Sequence, residues 1–368
     1  MSYEPGKMGI GEGMALVFIA TFTSYFLSVW SVFIDQAATT AWLVPAVSAL
    51  CFVTVFLILL FVMERVPGDL YQVSAQLLGR TGARIIALYF ITAFFIDAVL
   101  TLRQFAENTL LTAIPGLDIA MITGWYALMA AIVNYFGIEP LARAAFIALP
   151  FGLTGLTILL LLLLNRFNLY NLTPWTGLGI LSLLKTGITW SGSFLGIYLL
   201  PILAPAFQNV KTMRTAALLG LGLSTVFRSL TLFMYVAIFS VAVGREKVLP
   251  FFEMARLIYL NPFIQRVEPF FIVLWVIFGM TTIAIDIYAV TYLVTRLFDF
   301  PSMRPFFFPL AVIVAQLALL PSDIVTAIEL NIKENTMILV LGAFVIPVIL
   351  LLAVLIKGKR KSESCTIN

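Results

Sequence analysis

Ten stretches of this chain are apolar for long enough to cross a lipid bilayer. A spanning helix needs about 20 apolar residues in a row. The stretches are roughly 13–34, 39–62, 84–112, 119–137, 141–164, 180–205, 213–243, 265–298, 306–321 and 335–356. The charge content supports this reading: 11% of the residues are charged and 62% are hydrophobic, where soluble domains carry about 25% charged residues. A transmembrane barrel would alternate apolar and polar side chains, and runs such as 156–164 do not alternate. The expectation is an all-α polytopic membrane protein, one transmembrane domain over 1–368.

The sixth stretch departs from the rest. Residues 190–205 read WSGSFLGIYLLPILAP. Ser191, Gly192 and Ser193 sit mid-membrane, and Pro201 and Pro205 follow. Backbone groups freed in hydrocarbon cost several kcal/mol each unless protein or a watery cavity satisfies them. Broken helices are tolerated where they line a site, and their half-helix N-termini favour an anionic group. Trp190 and Phe194 flank the break and can close such a pocket. The competing use of small residues here is close helix packing. The first stretch has its own polar centre, Thr21, Phe22, Thr23 and Ser24. Its hydroxyls can equally bond back to their own helix.

Ten stretches divide into five plus five, about 13–164 and 180–356, with a basic tail at 357–368. An odd number per half makes the second half run inverted. Interrupted helices at matching positions, here the first and sixth, are the mark of a transporter-type site at the bilayer midplane.

Charges inside a membrane are costly and default to a function or a named partner. Asp97, Arg228 and Asp286 lie near the middles of the third, seventh and eighth stretches. Arg103 and Glu107, four apart, share a helix face. The expected pairings are Arg228 with Asp286 or Asp97, and Arg103 with Glu107. The network is either static, fixing helix register, or a switch whose partners change. An unpaired carboxylate at this depth would carry a proton.

Histidine is absent, so a histidine relay, the usual zinc site and a Ser-His triad are excluded. No nucleophile–base set, metal-ligand set or cofactor motif stands out, and no enzyme is expected. Cys51 and Cys365 make no disulfide framework. The start, MSYEPGKMGIGEG, does not read as a cleavable signal. Net charge +4 is read through topology rather than nucleic-acid binding. With both termini cytoplasmic, the inner side holds 13 Lys and Arg against 7 outside, Arg103 and Arg228 lying within segments. Trp30, Trp42, Trp125 and Trp175 are expected as interfacial anchors, and Asn134 as a solvated turn residue. The link 63–83 and the loop 243–268 each suit a short surface helix. The tail is expected without fixed structure, its basic run facing anionic headgroups.

Several stretches together carry a resemblance: LGRTGARIIALYF at 78–90, LRQFAENTLLTAIPGLD at 102–118, SGSFLGIYLLPI at 191–202, QNVKTMRTAALLGLG at 208–222 and RVEPFFIVLWVIFGM at 266–280. In order and spacing they resemble the membrane-embedded B subunit of bacterial spore germinant receptors. That family, the spore germination permeases, belongs to the amino acid–polyamine–organocation transporter superfamily. The resemblance implies the ten-helix, five-plus-five inverted-repeat (LeuT-like) fold with helices 1 and 6 interrupted. It also implies a bundle of segments 1, 2, 6 and 7 against a scaffold of 3, 4, 8 and 9. In sodium-coupled members, eighth-helix hydroxyls help hold the ion, which makes Thr281 and Thr282 a possible ion site. Two features depart from the pattern. The glycine-rich break of the first segment reads TFTSYFLS here, and the fifth segment lacks the lysine that proton-coupled relatives can use.

The expected function is a germinant-sensing subunit in a spore inner membrane. A small nutrient, expected to be an amino acid, binds between helices 1 and 6 and shifts a conformational equilibrium. The resemblance implies A-type and C-type receptor subunits as partners. An autonomous secondary amino acid transporter uses the same fold, and a structural or channel-forming component is the third reading.

Overall fold

The computed structural model describes residues 7–26, 29–259 and 268–365. The first segment is two helices, α1 (Ile10–Phe26) and α2 (Trp30–Ala37). A 3₁₀ turn, Ala38–Leu43, leads into α3 (Val44–Arg65). Helices α4 (Leu70–Thr112), α5 (Ile119–Phe136) and α6 (Ile138–Leu162) complete the first half. The sixth segment is composite: α7 (Ile180–Thr189), a 3₁₀ stretch Trp190–Tyr198, and α8 (Leu199–Ile202). Next come α9 (Val210–Gly244), a short α10 (Pro250–Arg256), α11 (Glu268–Leu297) and α12 (Arg304–Leu317). The last segment is α13 (Ile324–Lys333), a π-helical stretch Glu334–Leu339 and α14 (Val340–Cys365). No strand occurs among the described residues. Seven helical stretches are long and apolar enough to span a bilayer, and three shorter apolar helices lie at the first, ninth and tenth segments.

Polar residues start these helices where a freed N–H needs an acceptor. Asp69 and Gln72 form a reciprocal capping box at α4. Asp118 caps α5, Asn209 caps α9 and Asp323 caps α13. Prolines open α3, α10 and α12, where a missing N–H costs nothing.

The link 63–83 does hold a short helix, over 70–78, set off from the third membrane helix by non-helical backbone at Gly79. The two helices meet at Gly79, whose φ of 78° and ψ of 176° suit glycine. The loop helix expected near 243–268 is α10, with Phe251, Met254 and Ala255 turned inward. The tail is helical rather than irregular through Cys365, where α14 ends, and 366–368 lie outside the described residues. Trp30 is not an interfacial anchor. It is fully buried, edge-on to Tyr235 at 5.0 Å and Phe251 at 6.4 Å. Trp125 and Trp175 are exposed, as anchors require. Asn134 is buried rather than solvated, and its amide donates to the Ala284 carbonyl at 2.9 Å, tying α5 to α11.

Helix α1 lies against α9, α6 and α11, and α3 packs on α7 and α9. Helix α4 runs along α11, and α5 packs on α12 and α11. These contacts join segments 1, 2, 6 and 7 into a bundle and 3, 4, 8 and 9 into a scaffold, with α1 meeting α11 where the two adjoin. Small residues set the bundle spacing. A Cβ on Gly220 of α9 would sit 2.7 Å from the Val17 Cβ and 2.8 Å from the Met14 carbonyl oxygen of α1.

At the end of the molecule that carries the N-terminus, Asp69 does more than cap. Its buried carboxylate accepts from the Tyr292 hydroxyl at 2.8 Å and lies 3.1 Å from Arg296 Nη2. It thereby fastens the start of α4 to the end of α11. Asp69→Ala is expected to lower stability by about 2 kcal/mol, one cap plus one buried hydrogen bond. Thermal unfolding of the detergent-purified protein measures this.

Candidate solute site at the interrupted helices

The break in the first segment does not fall on its polar centre. Thr21, Phe22, Thr23 and Ser24 lie inside α1, which remains helical to Phe26, and the next helix starts at Trp30. The physical reason is back-bonding: the Thr21 hydroxyl donates to the Val17 carbonyl at 2.6 Å. It also lies 2.9 Å from the Ser224 hydroxyl of α9. The Ser24 side chain is outside the described residues.

The sixth segment is tightened rather than unwound. Residues 190–198 form a 3₁₀ helix, with Phe194 leaving helical geometry at φ −101° and ψ 20°. The expectation of freely exposed N–H groups is therefore revised, because 3₁₀ geometry keeps i→i+3 hydrogen bonds. Small residues permit the narrow turn and the close approach of α1. A Cβ on Gly196 would lie 2.5 Å from the Ala20 Cβ. Ser191 is buried, and its hydroxyl donates to Ile188 O at 2.7 Å. Gly192 is buried beside it. Trp190 is edge-on to Phe33 at 5.0 Å and reaches the Gln36 side chain at 3.4 Å, joining the break to α2.

Arg228 of α9 crosses between the two interrupted helices. It is 1% exposed. Its Nη1 donates to the Ser193 hydroxyl at 3.1 Å, and Nη2 donates to the Ser193 carbonyl at 3.2 Å and to the Thr21 carbonyl. The guanidinium lies 4.4 Å over the Phe194 ring. The expected pairing with Asp286 or Asp97 is not formed. The planar fork finds carbonyls that helix 6 exposes at its kink, and neither acid is within reach. Thus Thr21, Ser193, Phe194 and Arg228 meet at one point, where a fixed positive charge lies buried between α1 and the sixth segment. Such a centre can hold a carboxylate by charge-assisted hydrogen bonds.

Cavities lie towards both ends from this level. One, of about 40 Å³, is lined by Phe18, Phe22 and Thr23 of α1, Phe105 of α4, Phe251 of α10, and the first half of α11. The Thr23 hydroxyl there is buried with no hydrogen-bond partner among the described residues. The other, of about 460 Å³, opens at the N-terminal end between Leu203, Ala206, Tyr288, Arg296 and Phe307. The Met8 N–H donates to the carbonyl of Ala206, one of that cavity's lining residues, at 2.7 Å.

Other predicted residues sit elsewhere. Arg103 and Glu107 pair at 2.9 Å, and both reach the turn before α13, through Ser322 O and Ile324 N. Thr281 donates to Ile277 O, and Thr282 to Phe278 O at 3.0 Å. Thr282 also lies 3.5 Å from Ile19 O of α1. Asp97 and Asp286 are buried together away from Arg228, beside Glu334, which the sequence did not single out. Glu334 sits in NIKEN, a stretch that reads as a polar link ahead of the tenth segment.

The sequence model of the spore germination proteins matches residues 8–327. The chain belongs to that family. Spore germination protein YndE of Bacillus subtilis is 25% identical over 232 residues, a match that covers 62% of this chain and 63% of that relative's length. Among solved structures, this family member resembles a Na+-coupled sialic acid symporter in a substrate-bound outward-open state. The TM-score is 0.62 at 12% identity, over 93% of this chain and 80% of the symporter. It also resembles Mhp1, a nucleobase-cation-symport-1 family transporter, with TM-score 0.62 at 13% identity over 86% and 72% of the two chains. MhsT in complex with L-phenylalanine matches with TM-score 0.54 at 16% identity, over 96% and 99%. These likenesses give the fold: this family member is a multi-pass membrane protein with the architecture of transporters and permeases.

Proposed function

We propose that this chain is the nutrient-sensing membrane subunit of a spore germination receptor. It holds a small amino acid between helices 1 and 6 and passes on binding as a change of conformation. The observation that carries this is Arg228, whose guanidinium spans both interrupted helices and offers a positive charge to a ligand carboxylate. The aromatic cavity beside Thr23 favours an apolar side chain on that ligand. Rearranged contacts of Arg228 would give the ligand different affinities for two states, which is what a population shift requires. Both termini face the cytoplasm on the charge count, and A-type and C-type subunits are the partners.

The second reading, autonomous transport by alternating access, draws on the unequal cavities towards the two ends of α11. Uptake of radiolabelled amino acids into proteoliposomes separates the two. Accumulation against a gradient supports transport; binding without accumulation supports sensing. Binding itself is tested by thermal stability of the purified protein across an L-amino acid panel. Stabilisation of several degrees by one apolar amino acid is expected, with Gly192→Leu inserting normally and showing none. Wild-type response in that variant would move the site elsewhere.

A further inference from the structure

Three acidic side chains from three segments are buried together on the scaffold side: Asp97 of α4, Asp286 of α11 and Glu334 at the start of the π-helical stretch. They are 7%, 1% and 3% exposed. The charged groups that act on Asp286 are Asp97 and Glu334, and Asp97 acts on Glu334 in turn. Asp97 has one hydrogen-bonding neighbour on its own helix, Thr101. Both oxygens of Glu334 and Oδ2 of Asp286 are buried with no hydrogen-bond donor among the described residues. A carboxylate in that setting keeps the whole cost of leaving water.

Among the described residues the surroundings supply no compensating cation. Helix α4 contributes Tyr89 besides Asp97, and its Arg103 is committed to Glu107 and Ser322. The 3₁₀ stretch of segment 6 contributes Tyr198. Helix α5 contributes the neutral Asn134, whose amide is spent on Ala284 O. On α13, Lys333 and Glu329 face outward, and α11 itself adds Tyr288, stacked on Phe307. Arg228 is engaged with α1 and segment 6. Among the described residues, no group of three or more acidic, Cys or His side chains could hold a metal ion. Three like charges that share a single hydroxyl donor, Thr101 on Asp97, cannot coexist in a low-dielectric interior.

We propose that Asp97, Asp286 and Glu334 form a proton-binding cluster whose occupancy is coupled to the interrupted sixth helix. The coupling route is short. The π-helical stretch that carries Glu334 packs against residues 190–198, and single π turns in membrane helices often mark functional positions. Tyr198 of that stretch lies 3.5 Å from the Gly342 carbonyl, and the Tyr89 hydroxyl lies against the backbone of the same glycine. A shift of the sixth helix that opens the cluster to water lets protons leave; closing it requires their return. Solute occupancy at the Arg228 centre and proton occupancy at the cluster therefore bias the same element. The cluster itself does not depend on which solute binds.

The test is infrared spectroscopy of the full-length protein in phosphatidylcholine vesicles, in H₂O and D₂O. Wild type is expected to show a deuterium-sensitive carboxylic acid C=O band at neutral pH that sodium or potassium chloride leaves unchanged. Glu334→Gln and Asp286→Asn are each expected to remove a distinct part of it. A wild-type spectrum with carboxylate bands alone overturns the proposal, as does collapse of the band when either salt is added, which would make the occupant a metal cation. If those variants fail to fold, Asp97→Asn and titration of the wild-type band decide. A band that persists without loss as pH is raised through the alkaline range would mark sealed acids that do not exchange protons, and would also overturn it.

Discussion

Arg228→Ala is expected to abolish stabilisation by the solute and to lower the protein's own stability by about 3 kcal/mol or more, since hydrogen bonds to a charged group are worth about 1.5–3 kcal/mol each. The substitution leaves the Thr21 carbonyl and both Ser193 oxygens without their guanidinium donor. It also removes the cation from over Phe194, opening a space beside an aromatic ring. Arg228→Lys should restore part of the stability but little of the binding, because a point ammonium cannot serve two helices with a planar fork. A double-mutant cycle sharpens the assignment. Arg228→Ala with Ser193→Ala should show a coupling of about 1 kcal/mol, while Arg228→Ala with Asp286→Ala should be additive within about 0.5 kcal/mol. Strong coupling in the second cycle would restore the charge pair that the geometry lacks. Melting curves of the purified variants, with and without the stabilising amino acid, measure all three.

Gly196→Val should be nearly as damaging by a different route. Its Cβ would lie 2.5 Å from the Ala20 Cβ and 3.1 Å from the Ala20 carbonyl carbon. The opposing atoms belong to the backbone of α1 or sit directly on it, so no side chain can swing away. Helices 1 and 6 must separate, at a cost of about 3 kcal/mol, the upper part of the usual overpacking range. Separation also draws the Thr21 and Ser193 carbonyls away from Arg228, so solute response should disappear with stability. Gly196→Ala should show the same signs at smaller size. A Gly196→Val protein with unchanged melting temperature would mean that the two helices are not in contact.

The ten segments were legible because twenty apolar residues can do little else than span a membrane. Ser191, Gly192 and Ser193 showed where the sixth helix would yield. They did not show how, because the choice between unwinding and 3₁₀ tightening depends on Ala20 lying against Gly196 across 176 residues of chain. In the first segment Thr21 and Thr23 marked a polar centre that stays helical; Thr21, which bonds its own helix, looks the same in sequence as a threonine that binds a ligand. Arg228 was visible as a charge needing a partner, but backbone carbonyls at a helix break carry no sequence signal, so an acid was the natural guess. Glu334 was hidden for the opposite reason. Among Lys333, Asn331 and Asn335 it reads as a solvated link, and only the packing of the tenth segment against α4 and the sixth helix buries it.

The backbone bond from Met8 to Ala206 has a practical side. It anchors the front of the polypeptide to the far end of the very helix whose rearrangement would report binding. Bulky fusions placed directly ahead of Met8 would pull on that anchor. Fluorescent reporters and affinity handles are better attached behind α14, away from that bond.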